Sequence, residues 1–206
     1  MNFWDSARYI LAVLVIASFP PSLMLWLAIH PFAAFWRQRG PVWTYVILGL
    51  PVAGYMLGVW LFRKTLLVRD LGASIFTMIP AGMAFGMAVL LKRGVVRQLK
   101  FARLAGIPEL SKEQYPGKLL TEGIYGRVRN PRYIEALLWV MAYALFANYL
   151  GAYIAVVLSL PLIYFVVRLE EKELRERFGT AYEDYCRRVP RFVPRPSPRN
   201  DQGGGS

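Results

Sequence analysis

Apolar residues run almost unbroken through Tyr9–Ile29, Val42–Phe62 and Leu71–Leu91. Each run reaches the roughly 20 residues that a helix needs to cross a bilayer. Pro20-Pro21 predicts a kink in the first run. Asp5 beside Arg8, and an apolar stretch too long for a signal-peptide core, mark that run as a span rather than a leader. Two shorter runs, Ile134–Ala147 and Ala152–Val167, are separated by Asn148-Tyr149-Leu150-Gly151 alone. This pattern predicts a tight helical hairpin that enters and leaves the membrane on one side. The expected fold is therefore all-α and polytopic, with about five transmembrane helices, the last two forming the hairpin.

Polar stretches divide the chain further. Residues 1–91 hold three spans, 92–133 a cytoplasmic loop, 134–167 the hairpin and 168–196 a polar C-terminal helix. Residues 197–206 read as a flexible tail, with Gly203–Ser206 an appended linker. Between Gly94 and Ile107, Arg97, Lys100 and Arg103 recur every third residue with apolar positions between them. That spacing fits a helix lying on an anionic membrane surface, or equally a solvated extension of the third span. Gly54-xxx-Gly58 and Gly82-xxx-Gly86 permit close helix approach; packing within the bundle is the favoured reading, an oligomer face the other.

Composition agrees with a membrane protein and excludes other classes. The hydrophobic fraction is 56% and the formal charge +12. A soluble nucleic-acid binder would carry the charge without so much apolar content, and a disordered chain would lack it. One cysteine, Cys186, and one histidine, His30, leave no metal site and no disulfide framework to build. Placing 92–132, 37–39 and the chain from Arg168 in the cytoplasm puts 21 of the 25 basic residues inside. Arg8, Arg63, Lys64 and Arg69 are the exceptions. The N-terminus is then outside and the C-terminus inside.

Candidate chemistry lies in two polar blocks that flank the hairpin and are folded back on each other by it. In the first, Gly123 and Gly126 open backbone conformations closed to other residues and allow close approach to a ligand. Asn130-Pro131 opens the next helix, whose free N–H groups suit an anion that Arg129 could clamp. Tyr125 and Tyr133 offer rings and hydroxyls. In the second, Glu170 and Glu171 sit near a helix C-terminus, where carboxylates are disfavoured and call for a cationic ligand or for Arg129. The site is dipolar, with an anion-binding wall facing a cation-binding one. The bland alternative is a capped helix start opposite a solvated helix held by pairs such as Glu171 and Arg175.

The pattern Thr121-x-Gly123-Ile124-Tyr125-x-x-Val128-Arg129-Asn130-Pro131-x-Tyr133 precedes the hairpin. Glu170-Glu171-x-x-Leu174-x-x-x-Phe178-Gly179-x-x-Tyr182-x-x-Tyr185-x-x-x-Val189-Pro190 follows it. Together they resemble the isoprenylcysteine carboxyl methyltransferase family, whose broad pattern the phospholipid N-methyltransferases share. The resemblance covers about the last 85 residues before the tail. It implies a membrane enzyme using S-adenosylmethionine, itself dipolar, with a lipid-like acceptor entering from the bilayer. It also implies that Leu119, Leu120, Gly123, Tyr125, Arg129, Asn130, Pro131, Arg132 and Tyr133 line the cofactor. Glu170 or Glu171 would close the site, and Arg168 and Glu171 would act at the reacting groups. Two positions depart from the family: Asn130 stands where histidine is usual and Glu135 where glycine is frequent. A carboxylate acceptor would call on Arg168 or Arg129, an amine on Glu135 or Glu171.

Two other readings stand beside this one. Tyr185-Cys186-Arg187-Arg188-Val189-Pro190 also resembles the ending of sterol and steroid reductases, which use NADPH. A non-enzymatic scaffold for anionic lipids would instead use the Arg97–Arg103 face and the basic tail. The expected location is a bacterial inner membrane.

Overall fold

The computed structural model describes residues 2–98 and 119–194. Six α-helices carry these residues: α1 Phe3–Ile29, α2 Ala33–Leu66, α3 Ile75–Gln98, α4 Pro131–Ala147, α5 Leu150–Phe178 and α6 Thr180–Arg188. A 3-10 turn, His30–Phe32, links α1 to α2, and another, Gly123–Gly126, precedes α4. Four regions are long and apolar enough to cross a membrane: Phe3–Phe32, Gln38–Leu66, Ile75–Gln98 and Leu150–Phe178. The 17-residue α4 is shorter than these but runs between the same two ends of the bundle.

Several expectations are refined. α1 is one continuous helix with Pro20 and Pro21 inside it. α2 breaks instead at Gly40, whose φ of 77° is open to glycine and costly to other residues. The second hairpin arm is not short. α5 runs 29 residues, continuing past Val167 without a break and carrying the second polar block out on its own extension. α3 ends with Arg97 in its last turn. Lys100 and Arg103, and with them the rest of the expected surface helix, lie outside the described residues, as does the tail 197–206.

α1 and α5 pack together, α3 packs on α4, and α2 leans on α1 at the edge of the bundle. The main core gathers Ala12, Val15 and Ile16 of α1 with Ala144 and Ala147 of α4 and Ala152 and Val156 of α5. Small residues at these positions let the backbones approach in a medium that supplies no hydrophobic drive between helices. The four glycines of the small-xxx-small steps make no close helix approach among the described residues. Among the described residues, no atom outside their own helix backbone and chain neighbours lies within 4 Å of where a Cβ would sit on Gly54, Gly58, Gly82 or Gly86, so the close packing expected of them is not seen there.

At the hairpin apex, Asn148 adopts a left-handed conformation (φ 54°) that ends α4, as asparagine tolerates. The α2–α3 loop closes over it. The Leu71 N–H donates to Asn148 O, Leu150 N–H to Arg69 O, and Gly151 N–H to Leu67 O. Arg8, 2% exposed, donates from Nε to Ala147 O at 3.0 Å and pairs with Asp70. A cation that sat on the wrong side of the charge tally is thus neutralised and built into the cap.

The opposite end holds the His30 turn, the Gly123–Gly126 turn, the start of α4, the extension of α5, and α6. His30 Nδ1 lies 3.1 Å from Glu173 Oε2. This end carries the two polar blocks that the hairpin was expected to bring together.

Candidate functional site

The predicted residues divide into two groups. The first centres on Glu171, which α5 carries four residues beyond the apolar stretch ending at Val167 and which is fully buried. Arg191 clamps it in bidentate fashion, donating from Nε to Oε1 at 3.0 Å and from Nη2 to Oε2 at 2.6 Å. Asn130 Nδ2 donates to the same Oε1 at 3.2 Å, and Arg129 Nη2 lies 3.5 Å from it. Burial alone would push the Glu171 carboxyl up. The Arg191 hydrogen bond and the charges of Arg129 and Arg191, with the Asn130 bond, hold it below the ordinary carboxylate range.

Backbone bonds stitch the same segments together. Arg129 N–H donates to Pro190 O at 2.9 Å and Asn130 N–H to Arg191 O at 3.2 Å. Arg129 and Asn130, expected at an open helix start facing an anion, are therefore turned toward Glu171. The partner that Glu171 requires is supplied chiefly by Arg191. Sequence reasoning missed Arg191 because the recognisable ending stops at Val189-Pro190, one residue short of it. An unpaired glutamate at a helix end, with an arginine just past α6, was the signal that could have found it.

The second group surrounds Tyr125. This residue is 9% exposed, and its hydroxyl oxygen is buried with no hydrogen-bond partner among the described residues. Burial pushes its pKa up, and the charges of Arg132, Glu170 and Glu135 act on it as well. Tyr133 Oη donates to Glu170 Oε2 at 2.7 Å. Arg132 lies 6.0 Å from the Trp26 ring, within cation–π range. A neutral hydroxyl, a cation and a carboxylate are thus held in one region, fixed from behind. Tyr185 Oη donates to Tyr125 O at 2.6 Å, and burial pushes the Tyr185 pKa up to about 12, so the donor keeps its proton.

The turn beneath Tyr125 is tightly specified. Gly123 has φ 58°, and a Cβ there would stand 2.2 Å from Gln98 Nε2; one at Gly126 would stand 3.0 Å from Thr121 O. Leu119 and Leu120 point to different neighbours. Leu120 packs with Val95, Ile124 and Tyr125, whereas Leu119 joins Leu174, Phe178, Tyr182, Tyr185 and Val189. Pro131 starts α4 and is buried. Arg168 stands exposed on α5, outside both groups.

A buried hydroxyl lacking a partner costs free energy unless something meets it. The charges of Arg132 and Glu170 act on the same hydroxyl, so this region carries one cationic and one anionic group. S-adenosylmethionine, with a carboxylate and an ammonium at one end, fits that donor and acceptor set.

A family model described as phospholipid methyltransferase matches residues 76–181. The chain is 34% identical over 88 residues to protein-S-isoprenylcysteine O-methyltransferase of Schizosaccharomyces pombe, covering 41% of this chain and 36% of that protein. It is 35% identical over 78 residues to protein-S-isoprenylcysteine O-methyltransferase B of Arabidopsis thaliana, covering 37% and 40%. A Delta(14)-sterol reductase of Mus musculus is 31% identical over 96 residues, covering 45% of this chain and 22% of the reductase. The matched segments span less than half the length of each of these relatives.

Proposed function

This chain belongs to the phospholipid methyltransferase family, and from that premise we propose that it is an integral membrane enzyme moving a methyl group from S-adenosylmethionine to a lipid-like acceptor. The observation that carries the reading is the buried Tyr125 hydroxyl, which has no hydrogen-bond partner among the described residues and feels the charges of Arg132 and Glu170. Supporting it is the similarity to two protein-S-isoprenylcysteine O-methyltransferases. The acceptor is a prenylcysteine-type carboxylate or a phospholipid-type amine.

When bound, the cofactor supplies a methyl group on a cationic sulfur, and transfer asks for alignment and exclusion of water. The chain's own residues would meet those demands as follows. Arg132 would hold the carboxylate of the cofactor's amino-acid end, Glu170 with Tyr133 its ammonium, and the Tyr125 hydroxyl would bond to the same polar end. Leu120 would supply apolar lining. Glu171, with Arg129, Asn130 and Arg191, acts as a positioning lock that keeps the start of α4 and the segment after α6 against α5. Arg168 is assigned to the acceptor's reacting group. Charge asymmetry orients the site end toward the cytoplasm and the N-terminus outward, in a bacterial inner membrane.

A second reading, an NADPH-dependent reductase, draws on the mouse reductase match and the Tyr185–Pro190 ending. Thermal unfolding of the detergent-purified chain separates the two. At 100 times its dissociation constant, a ligand binding only the folded form adds about 2.7 kcal/mol. Stabilisation by S-adenosylmethionine and S-adenosylhomocysteine, without NADPH, is the expected result. A shift with NADPH alone would replace the proposal with the reductase.

A further inference from the structure

Trp26 and His30 lie outside the family-matched segment 76–181, in the last turn of α1 and just past its end. They are four residues apart on one helical face, and the His30 N–H caps the helix by donating to Trp26 O. Their rings therefore stack, with centres 5.4 Å apart and planes 27° from parallel. His30 Nδ1 lies 3.1 Å from Glu173 Oε2 on α5, and the histidine side chain is 5% exposed. An ionised carboxylate only accepts, so Nδ1 carries the hydrogen of this bond. Anchored from α5, the buried imidazole holds the indole in a set orientation.

The same indole meets Arg132 of α4. The guanidinium carbon lies 6.0 Å from the Trp26 ring centre, at the far edge of cation–π range. Next to Arg132 in the chain is Tyr133, whose hydroxyl donates to Glu170. Glu170 in turn lies three positions before Glu173 on one face of α5. Arg132, Trp26, His30, Glu173, Glu170 and Tyr133 thus form a closed circuit of side chains, joined by contacts, by the Arg132–Tyr133 peptide and by one turn of α5.

Such a circuit has a chemical use. An arginine side chain has much rotamer freedom to lose, and restricting it before a ligand arrives removes that ordering cost from binding. A cation–π contact restrains the guanidinium through its charge and occupies none of its N–H donors, so it does not compete with a carboxylate for them. The α4 and α5 members of the circuit fall within the family-matched segment. The two that complete it from α1 do not, and they are what ties Arg132 to the α5 extension by a second route.

We propose that Trp26 and His30 are positioning residues of the cofactor site, Trp26 restraining the Arg132 guanidinium for the carboxylate of the cofactor's amino-acid end and His30 anchoring that indole to α5 through Glu173. This rests on the methyltransferase reading and deepens it by adding a wall of the site from the N-terminal helix.

The test is calorimetric titration of the full detergent-purified chain with S-adenosylhomocysteine. Trp26→Leu should weaken binding about two- to fivefold, and Trp26→Phe, which keeps an aromatic face, should recover part of the loss. His30→Ala should weaken binding in the same direction. In an Arg132→Gln background Trp26→Leu should cost nothing further, because the indole acts through Arg132. Additive losses would mark a merely structural role and overturn the proposal, as would unchanged binding in Trp26→Leu. A second readout needs no variant. His30 is the only histidine in the sequence, so an isotope-labelled sample gives one histidine ring signal by NMR. That signal should shift on saturation with S-adenosylhomocysteine, and an unmoved one overturns the proposal. Where a variant fails to fold or to bind, the wild-type signal decides alone. Absence of any wild-type binding would overturn the methyltransferase reading and this proposal together, whereas loss of the Trp26 dependence alone overturns only the proposal.

Discussion

Glu171 and Tyr125 illustrate two opposite situations for a buried polar side chain. Glu171 is fully satisfied by Arg191, Asn130 and Arg129. Removing one partner of such a pair leaves an uncompensated charge and costs about 3–5 kcal/mol. Arg191→Met should destabilise by about that amount, read by denaturation in detergent; a loss under about 1 kcal/mol would show that the lock is not structural. The Tyr125 hydroxyl has no hydrogen-bond partner to lose among the described residues. Tyr125→Phe should leave the unliganded midpoint unchanged or slightly raised, while weakening S-adenosylhomocysteine about tenfold, the worth of one good hydrogen bond. A drop in unliganded stability would mean that the protein itself satisfies the hydroxyl. Neither residue's situation is visible in the sequence, because Arg191 reaches Glu171 across 20 positions and Tyr125 is buried by α3 and α6.

At the scale of elements, the hairpin apex depends on backbone contact between α5 and the end of α2. A Cβ on Gly151 would stand 2.0 Å from Leu66 O, a backbone atom that has no rotamer by which to move away. Gly151→Ala should cost about 1–3 kcal/mol, the range for overpacking a tight site, whereas Gly54→Ala should cost little because its face is open. Similar losses in both would contradict the packing described here. The apolar runs made the existence of the helices plain, since length and hydropathy alone set a span. Their ends were harder to read. α5 continues eleven residues past Val167, its polar extension held by Asn130 and Arg191 at Glu171 and by Leu119, Tyr182 and Tyr185 around Leu174 and Phe178, and hydropathy falls there while helicity does not.

For the whole molecule, the ion lock joins the start of α4, the extension of α5 and the segment after α6, so its protonation bears on all three. The Glu171 carboxyl is held below its ordinary value of 4.5. A depressed folded-state pKa contributes stability that is fully present above the unfolded value and is lost as pH falls through the folded one. The thermal midpoint should therefore fall progressively as pH drops below about 4.5, and Glu171→Gln should flatten that part of the decline. An identical acid profile in the variant would remove Glu171 from the account.

The sequence by itself determined that this is a helical membrane protein, which residues lie at which end, and which two polar blocks meet. Span length, charge asymmetry and a short Asn148-containing turn are local or summed properties, legible without a third dimension. Tertiary structure alone decided which polar residues are spent on each other. Glu171 is held by Arg191, Asn130 and Arg129, whereas the Tyr125 hydroxyl is buried with no hydrogen-bond partner among the described residues. Whether a buried charge is a site or a strut depends on partners brought from 20 to 61 positions away. Only packing places those partners within hydrogen-bond reach.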